Sequence, residues 1–579
     1  MPTTRKVHVP VKATKVGEAR QSQLVTTYGV GSLFPSADQS FIIMGTEYWP
    51  ESASNLDEPR LARALGVHGF RTPSAGRRAG DMPVRHFPLV HYCPNCHRLG
   101  PLDRLQDGAS MHCKRCPDSR LVPSRFVAAC DAGHLEDFPY WQWVHAGTAE
   151  RADGGQHELT LKVLGRSSSL SDIVIGCSCG VASKSLAGSF GKNALRAVAT
   201  CRGQRPWLAE DDGSCDRPLR TLQRGSSNVW FASMRSTISI PPWSSAAAAF
   251  VERYWVVLEH IPDPTLATVL APMVAEHPGV TVEAVQAVIA QRRGLETLHQ
   301  PTDAELRADE YKALCTGTGA GSALDSFICE EERIGTTLSE AVAQVSAVSR
   351  LREVRALEGF MRVTPGAPDA QRPLAPLSQT KLPWLPAVEV HGEGIFVRLL
   401  ESMVAEWEST AGAAARAARI TAAQDRRDRD AGRPAGPSVA PRVVALHTLA
   451  HMLLTELSLH AGYPAASLRE RVYAAPGQAG ILVYTASSDS AGSLGGLAAL
   501  AQTRVFESIF NSAVDRGRWC SSDPVCAESR GSGADNLNLA ACHACVLLPE
   551  TSCENRNLYL DRVSVLGSEE FPEAALFPA

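Results

Sequence analysis

The sequence predicts an α+β multidomain protein in which zinc-ribbon-like modules are joined to a helical middle region, and three observations carry that expectation. The chain has 579 residues, more than one hydrophobic core serves, so about three to four domains are expected. Its sixteen cysteines fall in groups rather than singly. Between those groups, Ala246–His260 and Val282–Arg293 carry apolar residues at helical spacing.

Taken in order, residues 1–90 form an N-terminal domain that opens with a basic arm (Arg5, Lys6, Lys12, Lys15, Arg20). Within the apolar stretch Leu24–Phe34, Tyr28-Gly29-Val30-Gly31-Ser32 reads as a tight turn. Such a Gly-x-Gly turn can also bring backbone N–H groups close to a phosphate. Residues 91–220 interleave cysteine with Gly, Pro and polar residues, the texture of metal-pinned loops. Residues 221–363 are expected to be mainly helical, with Glu332–Met361 as one long helix or a helical pair.

Residues 364–386 repeat proline (Pro365, Pro368, Pro373, Pro376, Pro383, Pro386) and predict an extended linker or surface strap. The last domain, 387–579, contains a helix over Val443–His460 and an exposed loop over Asp425–Pro441, where alternating Arg and Asp give way to Gly and Pro.

Composition narrows the function. Apolar residues make up 44% and charged residues 20%, which excludes a disordered or collagen-like chain. No run of about 18 apolar residues occurs, and Met1–Arg20 lacks an apolar signal core, so a cytoplasmic protein is expected. A net charge of -4 gives no global attraction to nucleic acid, so any phosphate contact must come from local patches.

Thiols stay reduced in the cytosol, so clustered cysteines point to metal rather than disulfides. Cys93-Pro94-Asn95-Cys96 and Cys113-Lys114-Arg115-Cys116 are two Cys-x-x-Cys knuckles, each able to turn two thiolates toward one ion. Together they close a tetrahedral zinc shell with no position left for substrate, so the role is structural. Cys177, Cys179, Cys201 and Cys215 offer a second, looser set of four. Cys130 and His134 supply two further donors, which alone are not a site and serve packing equally well. Cys520, Cys526, Cys542, Cys545 and Cys553 give five thiols for a four-ligand site. The preferred set is Cys526, Cys542, Cys545 and Cys553, with Cys520 as substitute. Cys315 and Cys329 have no local partners and read as packing residues.

His447 and His451 share one face of the Val443–His460 helix, with Glu456 farther along the same element; this looks like half a metal site, but without an identified third ligand the pair reads first as core or capping histidines. Thr448 stands where a His-Glu-x-x-His metalloprotease carries its general base. Gly492-Ser493-Leu494-Gly495-Gly496 reads as a turn opening a helix from Leu497, and Ser493 and Gly495 are candidates to hold a phosphate of a nucleic-acid backbone. Arg292 and Arg293 end a helix-turn-helix outline and are the other candidate DNA contacts, with an ordinary surface helix as the alternative. The patch Arg416, Arg419, Arg426, Arg427 and Arg429 is interleaved with aspartate and reads as a solvated face. No Gly-x4-Gly-Lys-Ser/Thr loop occurs, so the chain is not expected to hydrolyse ATP by itself.

Several segments together resemble the DrmB family of DISARM anti-phage defence systems. They are Arg20-Gln21-Ser22-Gln23 through Tyr28–Ser32, Ala129-Cys130-Asp131-Ala132-Gly133-His134-Leu135-Glu136-Asp137-Phe138-Pro139, Ser490–Leu497, and Asn538–Cys545 through Leu560-Asp561-Arg562. The C-terminal third is also similar to the zinc-binding domain attached to some MrfA-type DNA helicases, which implies an α/β zinc-binding domain without its motor. The resemblance implies a non-catalytic partner of a separate DrmA-type helicase subunit, which supplies ATP hydrolysis while the pair engages DNA. Two other readings stand beside it: a metal-dependent hydrolase or nuclease using His447, His451, Glu456 and Asp489, and a purely structural scaffold.

Overall fold

The computed structural model describes residues 15–50, 54–74, 81–108, 110–147, 157–165, 169–213, 215–277, 279–295, 300–318, 325–364, 372–430, 433–485 and 496–578. The chain folds as two compact units, neither continuous in sequence. Unit 1 comprises residues 1–56, 67–235 and 355–388, and unit 2 comprises 57–66, 236–354 and 389–579. Helices and strands are mixed in both, as α+β composition requires. Among the described residues no helix is long and apolar enough to cross a membrane.

Unit 1 is built from short antiparallel strands. A six-stranded sheet runs in the order Val122–Pro123, Val90–Tyr92, Arg98–Pro101, Leu159–Val163, Ile173–Cys177 and Lys184–Ser185. A second sheet sets Phe126–Ala129 between Leu135–Asp137 and Arg220–Gln223. Phe138, Tyr140, Trp143 and Ile175 fill one core of this unit, and Val30, Trp207, Leu357 and Phe360 fill another. Strands this short bury little surface, so something besides apolar packing must hold the loops between them.

One such device is Arg362. Its side chain is buried, and it donates to the carbonyls of Gly133 (2.9 Å), Val229 (2.5 Å) and Gly31 (2.8 Å). Its guanidinium also lies over the rings of Phe360 (4.7 Å) and Trp207 (5.1 Å). The planar fork matches three carbonyls that no aliphatic side chain could satisfy. Gly31 has φ +79, and a Cβ there would fall 2.4 Å from the Phe360 ring, so glycine is required. The Gly-x-Gly turn is therefore a structural acceptor in which Arg362 already takes the Gly31 carbonyl.

Residues 372–386 of the proline-rich stretch pack in unit 1. The Pro376 carbonyl accepts from Trp207 Nε1 at 2.9 Å, and Ala375 and Leu377 are buried.

Unit 2 centres on the helix Pro441–Ala461, which has Pro at its first turn and ends at Gly462 in the left-handed region, φ 71. It packs against the antiparallel strands Leu468–Tyr473 and Gly480–Thr485 and against the helices Thr503–Gly517 and Arg562–Leu566. The helices Ala246–Leu258, Asp263–Ala275 and Val282–Leu295 share a separate small core. Helix Asp303–Thr316 opens with a capping box from Thr302 and Glu305.

Three sequence expectations are corrected here. Glu332–Met361 is not helical: it contains the end of strand Ile328–Glu332 and a twenty-residue strand, Val342–Met361. Most of that strand is buried on both faces, which erases the period-two alternation, while its Leu, Glu, Arg and Ala residues imitate a helix. The loop expected at Asp425–Pro441 begins later, because helix Ala411–Asp430 runs through its first residues. The helix expected from Leu497 begins at Thr503, after a short 3-10 turn over Ala498–Ala501.

Candidate zinc centres

Among the described residues, five groups of four side chains bring their donor atoms within 4.8 Å of one another. Three lie in unit 1 and two in unit 2. None of the sixteen cysteines is in a disulfide.

The first group is Cys93, Cys96, Cys113 and Cys116. The knuckle Cys93–Cys96 sits at the turn of the hairpin Val90–Tyr92/Arg98–Pro101, closed by Cys93 N–H to the Arg98 carbonyl (3.0 Å) and His97 N–H to the Cys93 carbonyl (2.9 Å). Cys113 and Cys116 face each other across a second, two-stranded hairpin. Cys96 Sγ and Cys113 Sγ are 3.8 Å apart. Zinc–sulfur bonds of about 2.3 Å at tetrahedral angles place sulfurs about 3.8 Å apart, whereas a disulfide needs about 2.05 Å. The spacing fits zinc.

The second group joins Cys130 and His134 to Cys201 and Cys215. Cys130 and His134 stand at the turn between strands Phe126–Ala129 and Leu135–Asp137, where Gly133 adopts φ +88 with the Ala375 Cβ 2.6 Å from where its own Cβ would lie. His134 Nδ1 lies 3.4 Å from Cys130 Sγ and 3.6 Å from Cys201 Sγ. A zinc held by nitrogen and sulfur sets those atoms about 3.5 Å apart. Asp212 Oδ2 stands 3.4 Å from the other ring nitrogen, Nε2, the carboxylate–histidine arrangement that orients a metal-binding imidazole.

The third group is His145, His157, Cys177 and Cys179. His145 follows the short helix Tyr140–Val144, and its Nδ1–H donates to the Trp141 carbonyl at 2.8 Å, leaving Nε2 directed at Cys179 Sγ, 3.4 Å away. Trp141 stacks on His145 with centroids 4.1 Å apart. Glu158, next to His157, pairs with Arg98 (2.8 Å) and with Arg115 of the first group's second knuckle (3.0 Å).

The four thiols expected to act together at 177–215 are thus divided, with Cys177 and Cys179 in one group and Cys201 and Cys215 in another. Each pair gains partners that spacing alone did not assign. From the sequence, Cys130 and His134 read as two donors that alone are not a site and serve packing equally well, whereas His145 and His157 give no signal beyond their nearness to the Cys177-Ser178-Cys179 pair.

The fourth group is Cys520, Cys526, Cys542 and Cys545. Sulfur separations are 3.5 Å for Cys520–Cys542, 3.8 Å for Cys526–Cys545 and 3.6 Å for Cys542–Cys545. Cys520 therefore stands in the place expected for Cys553. Asp523 accepts from the N–H groups of Cys520 and Ala527, both at 3.1 Å, and receives two bonds from Arg562 at 2.6 and 2.8 Å. Asp561 holds Arg416 in a fully buried pair. Arg416 is hence a core residue, not part of a solvated face.

Charge explains what such groups need. Contact with Cys526 holds the Cys545 thiol down at about 5, whereas the same contact drives Cys526 up. Four thiols gathered without a counter-charge cannot all ionise, and a dication removes that conflict.

The fifth group is His447, His451, Glu470 and Cys553. Glu456 is not in it. Nine residues beyond His447 at about 100° each carries it to the opposite side of the helix, where it pairs with Arg516 at 2.6 Å.

Of the candidate DNA contacts, Arg292 pairs with Asp57 and lies 4.1 Å over the Trp255 ring. Arg293 pairs with Asp263 and donates to the carbonyls of Leu258 (3.0 Å) and Ile261 (2.6 Å). Both hold the helices of their own bundle together. Ser493, Gly495 and Asp489 lie outside the described residues.

A family model described as the MrfA Zn-binding domain matches residues 449–546, which include all four thiols of the fourth group. A second, a domain of unknown function (DUF8724), matches residues 20–231 and takes in the first three groups. The DISARM protein DrmB of Bacillus paralicheniformis is 30% identical over 559 residues, covering 91% of this chain and 96% of that relative.

Proposed function

The chain belongs to the DrmB family of DISARM proteins, and on that premise we propose that it serves anti-phage defence as a non-ATPase partner of a DNA helicase. In this role zinc-pinned modules form a rigid surface on which the helicase assembles and DNA is held. The ligand sets are Cys93/Cys96/Cys113/Cys116, Cys130/His134/Cys201/Cys215, His145/His157/Cys177/Cys179 and Cys520/Cys526/Cys542/Cys545.

The observation that carries the reading is closure. Each set supplies four protein donors, the number that fills a tetrahedral zinc and leaves no open position for water or substrate. A catalytic zinc keeps that position open. The hydrolase reading loses support because Glu456 is turned away from His447 and paired with Arg516.

Co-expression with a DrmA-type helicase subunit, followed by copurification and a DNA-binding titration across salt, tests the proposal. The two proteins are expected to copurify, and affinity is expected to fall steeply with salt as phosphate contacts release counterions. Failure to copurify, or DNA binding by the helicase unchanged on adding this chain, would overturn it. Metal-dependent DNA cleavage by this chain alone would restore the hydrolase.

A further inference from the structure

We propose that His447, His451, Glu470 and Cys553 form a separate, fully buried zinc site of mixed ligands, distinct from the four-thiol centre in the same unit. All four side chains are buried, with both imidazoles at 0% exposure and Glu470 at 1%. The donors come from three elements: the helix Pro441–Ala461, the strand Leu468–Tyr473 and the loop carrying Cys553. His447 Nε2 lies 2.9 Å from Glu470 Oε1 and 3.2 Å from Cys553 Sγ, and His451 Nε2 lies 3.3 Å from the same carboxylate oxygen. All four donor atoms converge within 4.8 Å.

Three features mark a built site rather than a chance meeting of polar groups. His451 Nδ1 lies 2.6 Å from the Val546 carbonyl, so Nδ1 carries the proton and the lone pair on Nε2 points into the cluster. His145 is oriented toward the third group by the same device. Next, Cys553 Sγ accepts the Asn557 N–H at 3.2 Å, as Cys520 Sγ accepts that of Ser522 at 3.4 Å in the four-thiol centre. Finally, Glu470 Oε2 is buried with no hydrogen-bond partner among the described residues. Buried polar groups are almost always matched, and a cation held by this carboxylate beside two imidazoles would supply the match.

Charge and donor type select the ion. Two neutral imidazoles, one carboxylate and one thiolate neutralise a dication, giving a set with no net charge at the centre of a hydrophobic core. Nitrogen, oxygen and sulfur donors in fours suit zinc, whereas calcium and magnesium require more oxygens. With four protein ligands, all of them buried, the ion is structural. It fastens the central helix to the strand beside it and to the loop that leaves the four-thiol centre.

The test is diffraction from crystals of the full-length protein at energies on either side of the zinc absorption edge. An anomalous peak that appears only above the edge, bounded by the four side chains, is expected. No peak there, in a map with peaks at the four-thiol centre, would overturn the proposal, as would a peak lacking the zinc edge. In solution, soluble Cys553→Ala protein is expected to hold one zinc fewer than wild type, and undiminished zinc would count against the site. If the variant does not fold, the wild-type map decides alone. Neither readout involves DNA or a helicase, so the outcome is independent of the proposed function.

Discussion

Cys96 and Cys113 meet across 17 positions of sequence, between two hairpins that each present a knuckle. His447 and Cys553 meet across 106, and only after a helix, a sheet and a loop have packed. The first centre organises its own neighbourhood, because short strands and a small core of Leu105 and Leu121 have little else to hold them. The second sits inside a core already formed by Leu446, Leu449, Leu453 and Ile481 and links parts that apolar packing has brought together. On the proposed ligand sets, zinc would make structure in the first case and lock it in the other.

That contrast can be broken by experiment. The largest effect is expected from Cys96→Ser or Cys545→Ser, since structural zinc contributes on the order of 10 kcal/mol in small modules, comparable with a domain's whole stability. Each should lose one zinc and become protease-sensitive around the affected loop, as mass spectrometry of limited digests would show. Full zinc and wild-type resistance would refute a module-forming role.

Arg416→Ala comes next. It leaves Asp561 buried and unpaired, at a cost of about 3–5 kcal/mol in denaturant unfolding without loss of zinc. If zinc were lost too, the fourth centre would depend on this pair more than the geometry indicates. A smaller effect is expected from Asp212→Asn, which weakens the orientation of His134. Zinc affinity of the second centre should fall about 10- to 100-fold in a chelator competition, with the fold retained. Trp519→Ala should do least. Although it adjoins Cys520, its side chain is 73% exposed, so unfolding should change by less than about 0.5 kcal/mol.

The same contrast explains what could be read from the sequence. The convergence of Cys93, Cys96, Cys113 and Cys116 was legible because the four thiols are close in the chain and their spacing encodes a hairpin. The long helix around His447 was legible from its apolar periodicity, and the DrmB resemblance from segments along the chain. The pairing of Cys130 and His134 with Cys201 and Cys215 was not, because sheet topology decides it. Glu470 was missed for a similar reason: it lies on a strand where Glu470 faces the histidines and its neighbour Arg471 faces Glu310 and Glu353 on the other side. Helical reasoning favoured Glu456, which shares an element with the histidines but not a face. Motifs that sequence alone presents as a family signature acquire physical roles: Gly31 and Gly133 receive Arg362, Asp561 holds Arg416, and Arg562 braces Asp523 beneath the thiols.

The zinc content of freshly purified full-length protein, set against protein concentration by amino-acid analysis, tests the central claim most directly. Five zinc ions per chain are expected, one for each converging group. Two or fewer in folded protein would contradict it, leaving the histidine-containing groups as ordinary buried polar clusters.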